Sequence, residues 1–149
     1  MNKIILQKIS KAKTLPSKQQ FTKWVNQALS NSKKNHEVVI RLVSTKEITD
    51  LNKKYRKKNK PTNIISFPFE TPFGIKTNML GDLAICVQLV KQEAKLQDKT
   101  ATAHFAHLTI HGVLHLLGYT HEKDKDAEKM EKLEIKHLKK LGFTDPYQQ

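Results

Sequence analysis

Residues 63–87, NIISFPFETPFGIKTNMLGDLAICV, decide the fold. They hold two apolar, β-rich runs, NIISFPF at 63–69 and LGDLAICV at 80–87, separated by a connection that contains Pro72 and Gly74. Short apolar runs bounded by turn residues predict two strands joined as a hairpin or through a longer loop. Downstream, the pattern is helical throughout. One helix is expected from Gln88 to about Gln97, and a second from about Thr100 to Leu117, stopped by Gly118. The last spans roughly Asp124 to Leu141, with Met130, Leu133, Leu138 and Leu141 on one face and Gly142 beyond its end.

Upstream, EVVIRLV at 37–43 is a third β-rich run, and residues 2–10 carry a fourth. Between them Pro16-Ser17 opens a helical pattern in which Phe21, Trp24, Val25 and Ala28 recur every three or four residues. Ser44 and Glu47 have the spacing of a capping box and open a further helix through Ile48, Leu51 and Tyr55. That helix runs into the basic cluster KKYRKKNK at 53–60, with Pro61 marking its end. Strands therefore dominate the first half and helices the second. The expectation is a sheet of about four strands covered by helices, an α/β or α+β fold. With 149 residues and no repeat or low-complexity linker, residues 1–149 are read as one domain.

The charge is strongly unbalanced, with 27 Lys and Arg against 14 Asp and Glu, a formal +13. Such a surface concentrates polyanions, so nucleic acid or an anionic membrane face becomes a natural partner. A lysine-heavy soluble surface accounts for it equally well. Only Arg41 and Arg56 are arginines. A guanidinium offers a rigid fork that fits phosphate at two points, so each is a candidate for geometry-specific work. Cys86 is the sole cysteine, which excludes an internal disulfide and fits a reducing compartment. It lies in the apolar run LAICV, where a small buried thiol is expected. MNKIILQKIS lacks the long apolar stretch of a signal peptide, and no segment reaches the roughly 18 apolar residues of a membrane span. A cytoplasmic protein is expected.

Four of the seven histidines, His104, His107, His111 and His115, fall on one helical stripe. His111 and His115, one turn apart, can grip one ion from the same side. Gly118 permits the chain to reverse, and His121 follows three residues later as a third ligand. Three neutral imidazoles leave the fourth tetrahedral position of zinc open, as catalytic sites do. A pair of histidines one turn apart arises readily by chance. The added glycine break and third histidine make coincidence a poor account. Nickel, cobalt and copper also suit three imidazoles.

The spacing HxxxHxxGxxH is that of metzincin peptidases, which carry Glu as general base directly after the first His. Here that position is Gly112. The ligand spacing is present and the peptidase's base is missing.

HGVLHLLGYTH at 111–121 closely resembles the HGxLHLxGYDH signature of the YbeY endoribonucleases, bacterial rRNA maturation factors. Asn52, Tyr55 and Arg56, PTNIISFPFE at 61–70, LGDLAIC at 80–86, and Met130, Glu131 and Glu134 resemble further segments of that family in order. The resemblance implies a cytoplasmic, zinc-dependent endonuclease for single-stranded RNA. It implies a role in maturing the 3′ end of small-subunit ribosomal RNA and in ribosome quality control. It assigns His111, His115 and His121 to one zinc ion and functional weight to Arg56, on a mixed, mostly parallel four-stranded sheet. Two positions depart from the family pattern: Thr120 and Asn63 each stand where the family usually has Asp. Thr120 can replace a hydrogen bond but not a basic group, which bears on catalytic efficiency rather than on metal binding.

On this reading Arg56 stabilises transition-state charge on the phosphate, and Lys53, Lys54, Lys57, Lys58 and Lys60 hold the RNA backbone. A solvated lysine face is the plain alternative for that run. Tyr55 either stacks on a base or packs locally. His107 is expected beside the site, as a buttress or proton carrier, and His104, His36 and His137 are read as ordinary residues. Asp82 either accepts a ligand's second N–H or ends a strand. Two rival readings remain: a non-catalytic RNA- or ribosome-binding factor with structural zinc, and a metallopeptidase weakened by Gly112.

Overall fold

The structure, a computed structural model, describes residues 1–148. Its order is β1 (Lys3–Lys8), α1 (Lys18–Ala28), β2 (Glu37–Val43), α2 (Thr45–Arg56), β3 (Ile64–Pro68), β4 (Met79–Cys86), α3 (Val87–Leu96), α4 (Ala101–Leu116) and α5 (Asp124–Lys140). The strands form one sheet in the order β1-β2-β4-β3. β1, β2 and β4 run parallel, and β3 returns antiparallel to β4 as an edge strand. The 63–87 stretch is thus a hairpin with a long loop. The fold is α/β on a mixed, mostly parallel sheet of four strands, as the sequence predicts.

Alternation along the strands sorts the sheet's two faces. Ile40 pairs with Leu83 and Leu42 with Ile85, and all four are buried beneath α1 and α4. Val43, Ala84 and Cys86 point the other way, packing with Ile65 and with Ile48 and Leu51 of α2. The Cys86 thiol is fully buried there, in keeping with a packing role.

Helix α4 is the centre of the larger layer. Phe105, Ala106, Leu108, Ile110, Val113, Leu114 and Leu116 are all buried, so it is apolar almost all round, as a helix enclosed by neighbours must be. Thr100 caps its first turn by accepting from the Ala103 N–H at 3.1 Å. At Gly112 the helix lies so close to the sheet that a Cβ would stand 2.8 Å from both Ile64 Cδ1 and Leu83 Cδ2. Ser66 of β3 donates to the Gly112 carbonyl at 3.3 Å. This close approach brings the histidines of α4 beside the sheet's free edge.

One boundary differs from the sequence reading. Helix α2 ends at Arg56, before the proline at 61, because Lys57 turns left-handed (φ 60°). The buried Asn52 then donates its amide to the Lys60 carbonyl at 2.8 Å and folds residues 57–60 back against the helix. Ser44 caps α2 by accepting from the Glu47 N–H at 3.2 Å. The Glu47 carboxylate pairs with Arg41 at 3.1 Å instead of completing the capping box.

No helix among the described residues is long and apolar enough to cross a membrane.

Candidate metal centre

The centre grows from the end of α4. His111 and His115 project from successive turns and sit with ring centroids 4.5 Å apart. The Leu117 N–H bonds the Val113 carbonyl and the Gly118 N–H the His115 carbonyl, each at 3.0 Å, and Gly118 (φ 104°) reverses the chain. The Tyr119 N–H then returns to the Leu114 carbonyl at 3.0 Å. That reversal brings His121 to 4.9 Å from the His115 ring and 5.5 Å from the His111 ring. One nitrogen from each of the three rings lies within 4.8 Å of the other two.

The outward nitrogens decide which atoms face inward. His115 Nδ1 donates to the Tyr119 carbonyl at 3.0 Å, an oxygen that can only accept. His111 Nδ1 donates to Glu134 Oε1 at 2.9 Å. With both Nδ1 atoms protonated, the two Nε2 atoms of the neutral rings are bare lone pairs, and they lie 3.0 Å apart. Two such lone pairs repel unless a cation lies against them. Burial, then the neighbouring His111, holds the His115 pKa below its ordinary value and favours that neutral ring. The donor set therefore fits a metal ion of zinc's class, with carbonyl and carboxylate partners orienting the ligand rings.

Glu134 is the acid of this arrangement. It is fully buried on α5, where it also accepts from His107 Nε2 at 2.9 Å and from the Tyr147 hydroxyl. Burial alone would raise its pKa, but the hydrogen bonds donated by His107 and His111 bring it down to about 2. The carboxylate is therefore ionised and purely an acceptor.

Among the described residues no fourth His, Cys, Asp or Glu joins the three rings. Facing them instead is a cleft of about 510 Å³ along β3, lined by Ile64, Ser66, Pro68, Arg56, Asn63 and the Gly118–His121 bend. Arg56, at the end of α2, is exposed and forms no ion pair among the described residues. Arg41, by contrast, is spent on Glu47. An adjoining cavity of about 310 Å³ shares Arg56 and Asn63 and adds Lys58 and Lys60. The structure thus brings the three histidines and Arg56 to one cleft, with two of the five lysines beside it; Lys53, Lys54 and Lys57 are exposed and line neither space.

Other candidates fall elsewhere. Asp82 lies on the α2 face of the sheet, two residues before Ala84 on the same strand, and so cannot reach the histidines. The Nδ1–H groups of His111 and His115 go instead to Glu134 and the Tyr119 carbonyl. Tyr55 packs edge-on against Phe67 at 5.0 Å while remaining 56% exposed. His107 is the buttress of Glu134. His104 is buried and donates to Glu93 Oε1 at 2.8 Å, and Asn63 donates to the same oxygen at 3.0 Å. An Asp at 63 would set a second carboxylate against Glu93, so Asn63 suits this neighbour. His36 bonds Ser32, His137 bonds Gln27, and Thr120 is an exposed part of the cleft wall.

Sequence reasoning did not assign roles to Glu134, Tyr147 and the Tyr119 carbonyl. For Glu134 a signal existed. It falls on the buried stripe of α5 with Met130, His137 and Leu138, and a buried carboxylate needs partners.

Comparison with known proteins agrees with the motif reading. Residues 5–142 match the family model described as Endoribonuclease YbeY. The Endoribonuclease YbeY of Colwellia psychrerythraea (strain 34H) is 52% identical over 137 residues, covering 89% of this chain and 88% of that protein. The solution structure of TM1509 from Thermotoga maritima is similar in fold, with a TM-score of 0.59 at 23% identity over 98% of this chain and 99% of that one.

Proposed function

From the premise that this chain belongs to the Endoribonuclease YbeY family, we propose that it is a metal-dependent endoribonuclease acting on single-stranded RNA, with His111, His115 and His121 holding one zinc ion. We further propose that residues 1–149 act as one catalytic domain in the cytoplasm. Its substrate on this reading is the 3′ end of small-subunit ribosomal RNA, with a share in ribosome quality control. Carrying the reading is the pair of bare Nε2 atoms 3.0 Å apart, each ring fixed from behind and both facing a cleft that contains Arg56.

A zinc ion, when bound, supplies Lewis acidity for the phosphodiester and for a water nucleophile. The chain's own residues do the rest. Arg56 donates paired N–H groups to the non-bridging phosphate oxygens, where charge builds as the P–O bond breaks. Lys58 and Lys60 hold neighbouring phosphates without reading sequence. Glu134 and the Tyr119 carbonyl keep the histidine rings from turning. Position 112 contributes no base, because its glycine carries no side chain to take a proton.

The test is to incubate metal-replete protein with labelled single-stranded RNA and with casein, each with and without chelator. Chelator-sensitive RNA cleavage with casein intact is expected. RNA left whole by metal-replete protein would instead support a non-catalytic RNA-binding factor with structural zinc.

A further inference from the structure

Tyr147 lies beyond residue 142, where the family match ends, yet its hydroxyl reaches the metal centre's buried acid. The route is built from local chemistry. Gly142 (φ 90°) ends α5 in a left-handed turn, and the Phe143 N–H returns to the Leu138 carbonyl at 2.9 Å. The Phe143 ring anchors edge-on to Trp24, centroids 6.4 Å apart. Asp145 then accepts from the Tyr147 N–H at 2.8 Å, closing a turn around Pro146. The tail doubles back along α5 and sets the Tyr147 hydroxyl 3.1 Å from Glu134 Oε1 and 3.0 Å from Oε2.

The donors around Glu134 divide unevenly. Oε1 receives His111 and His107, whereas the single Tyr147 hydroxyl proton, 3.0 Å from Oε2 and 3.1 Å from Oε1, is the one donor that Oε2 has among the described residues. Glu134 is fully buried, so an oxygen left unpaired there is costly and the carboxylate would rotate to find another donor. Rotation would draw Oε1 away from His111. The His111 ring could then carry its proton on either nitrogen, and a proton on Nε2 blocks that atom as a ligand.

We propose that Tyr147 is a positioning residue of the metal centre: by donating to Glu134 Oε2 it keeps the carboxylate on His111 Nδ1–H and thereby reserves His111 Nε2 for the metal. The proposal rests on the reading of His111 as a ligand given above.

Tyr147→Phe tests it, because the change removes one hydroxyl from a tail residue and retains the ring that stands 5.3 Å from His107. Two readouts keep the claims separate. In metal-free protein, long-range ¹H–¹⁵N correlation spectra of the imidazoles, at a pH where they are neutral, report the His111 tautomer. Wild type is expected as the Nδ1–H form, and Tyr147→Phe as a mixture. Competition with a chromophoric chelator reports zinc affinity, expected to fall about tenfold in Tyr147→Phe and at least as far in Glu134→Gln. A Tyr147→Phe protein with the wild-type His111 tautomer overturns the proposal. Wild-type protein that takes up no zinc overturns the metal reading instead, and the tautomer spectra still decide the role of Tyr147.

Discussion

Gly112 and Leu83 are in such close contact that a Cβ on the glycine would stand 2.8 Å from the leucine Cδ2. Ile64 presses on the same point from β3. Gly112→Ala gains about 1 kcal/mol of helix propensity. Overpacking a buried seam costs roughly 1–3 kcal/mol, so a net loss of about 1 kcal/mol is expected in urea unfolding. The atoms in the way are the ends of the Ile64 and Leu83 side chains, which can turn aside while α4 stays in place, so zinc affinity should hold. A more stable Gly112→Ala protein would show that the seam is not tight.

Arg56→Ala should lower RNA cleavage by about 10²–10³-fold, the usual loss when a charge-stabilising donor is removed. Metal content should be unchanged, since Arg56 lies across the cleft from the histidines and forms no ion pair among the described residues. Arg56→Lys should recover little, because an ammonium cannot offer two coplanar donors. Single-turnover cleavage with metal analysis of the same preparations checks both parts, and normal cleavage by Arg56→Ala would remove the residue from the mechanism.

Chelation should abolish cleavage without unfolding the chain. The main core joins α1, α4, α5 and the sheet, and none of its members is a histidine of the centre. The metal should contribute to stability only by mass action, about 2.7 kcal/mol at a hundred times its Kd. Circular dichroism before and after chelator measures this directly. Wholesale loss of helix on chelation would mark the ion as structural.

Acid should destabilise the protein through His104. Burial is the largest influence on this ring and, despite the Glu93 hydrogen bond, leaves its pKa below the ordinary 6.5. A histidine depressed in the folded state binds its proton better when unfolded, so its contribution is complete above about pH 6.5 and is lost as pH falls below that. His137, also buried, shifts in the same direction. Urea midpoints of metal-free protein should therefore drop between pH 7.5 and 5.5, and His104→Gln should flatten part of the slope. An identical pH dependence in the variant would absolve His104.

The fold was legible wherever one element buried one face. EVVIRLV alternates buried with half-buried positions, LGDLAICV is buried from Leu83 onward, and both read as strands, while Ser17, Ser44 and Thr100 each cap the helix that follows. The end of α2 was not legible, because it depends on Asn52 reaching a carbonyl eight residues away. In the candidate site, helical spacing alone was enough to align His111 with His115, and a glycine turn to deliver His121. What spacing could not show was that Glu134, and not Asp82, stands behind the histidine rings. That depends on the sheet face in one case and on helix docking in the other, and both are tertiary facts. Tyr147 was still less visible, since its contact needs the tail to fold back over α5.

β3 is an edge strand, and the cleft runs along its free side with Arg56, Pro68, Thr120 and His121 exposed around the rim. A cleft beside an edge strand has no further strand to roof it, so a flexible polymer can be laid in from the side without feeding in a terminus first. Cutting in the interior of a long strand is then the natural outcome, and a free end confers no advantage.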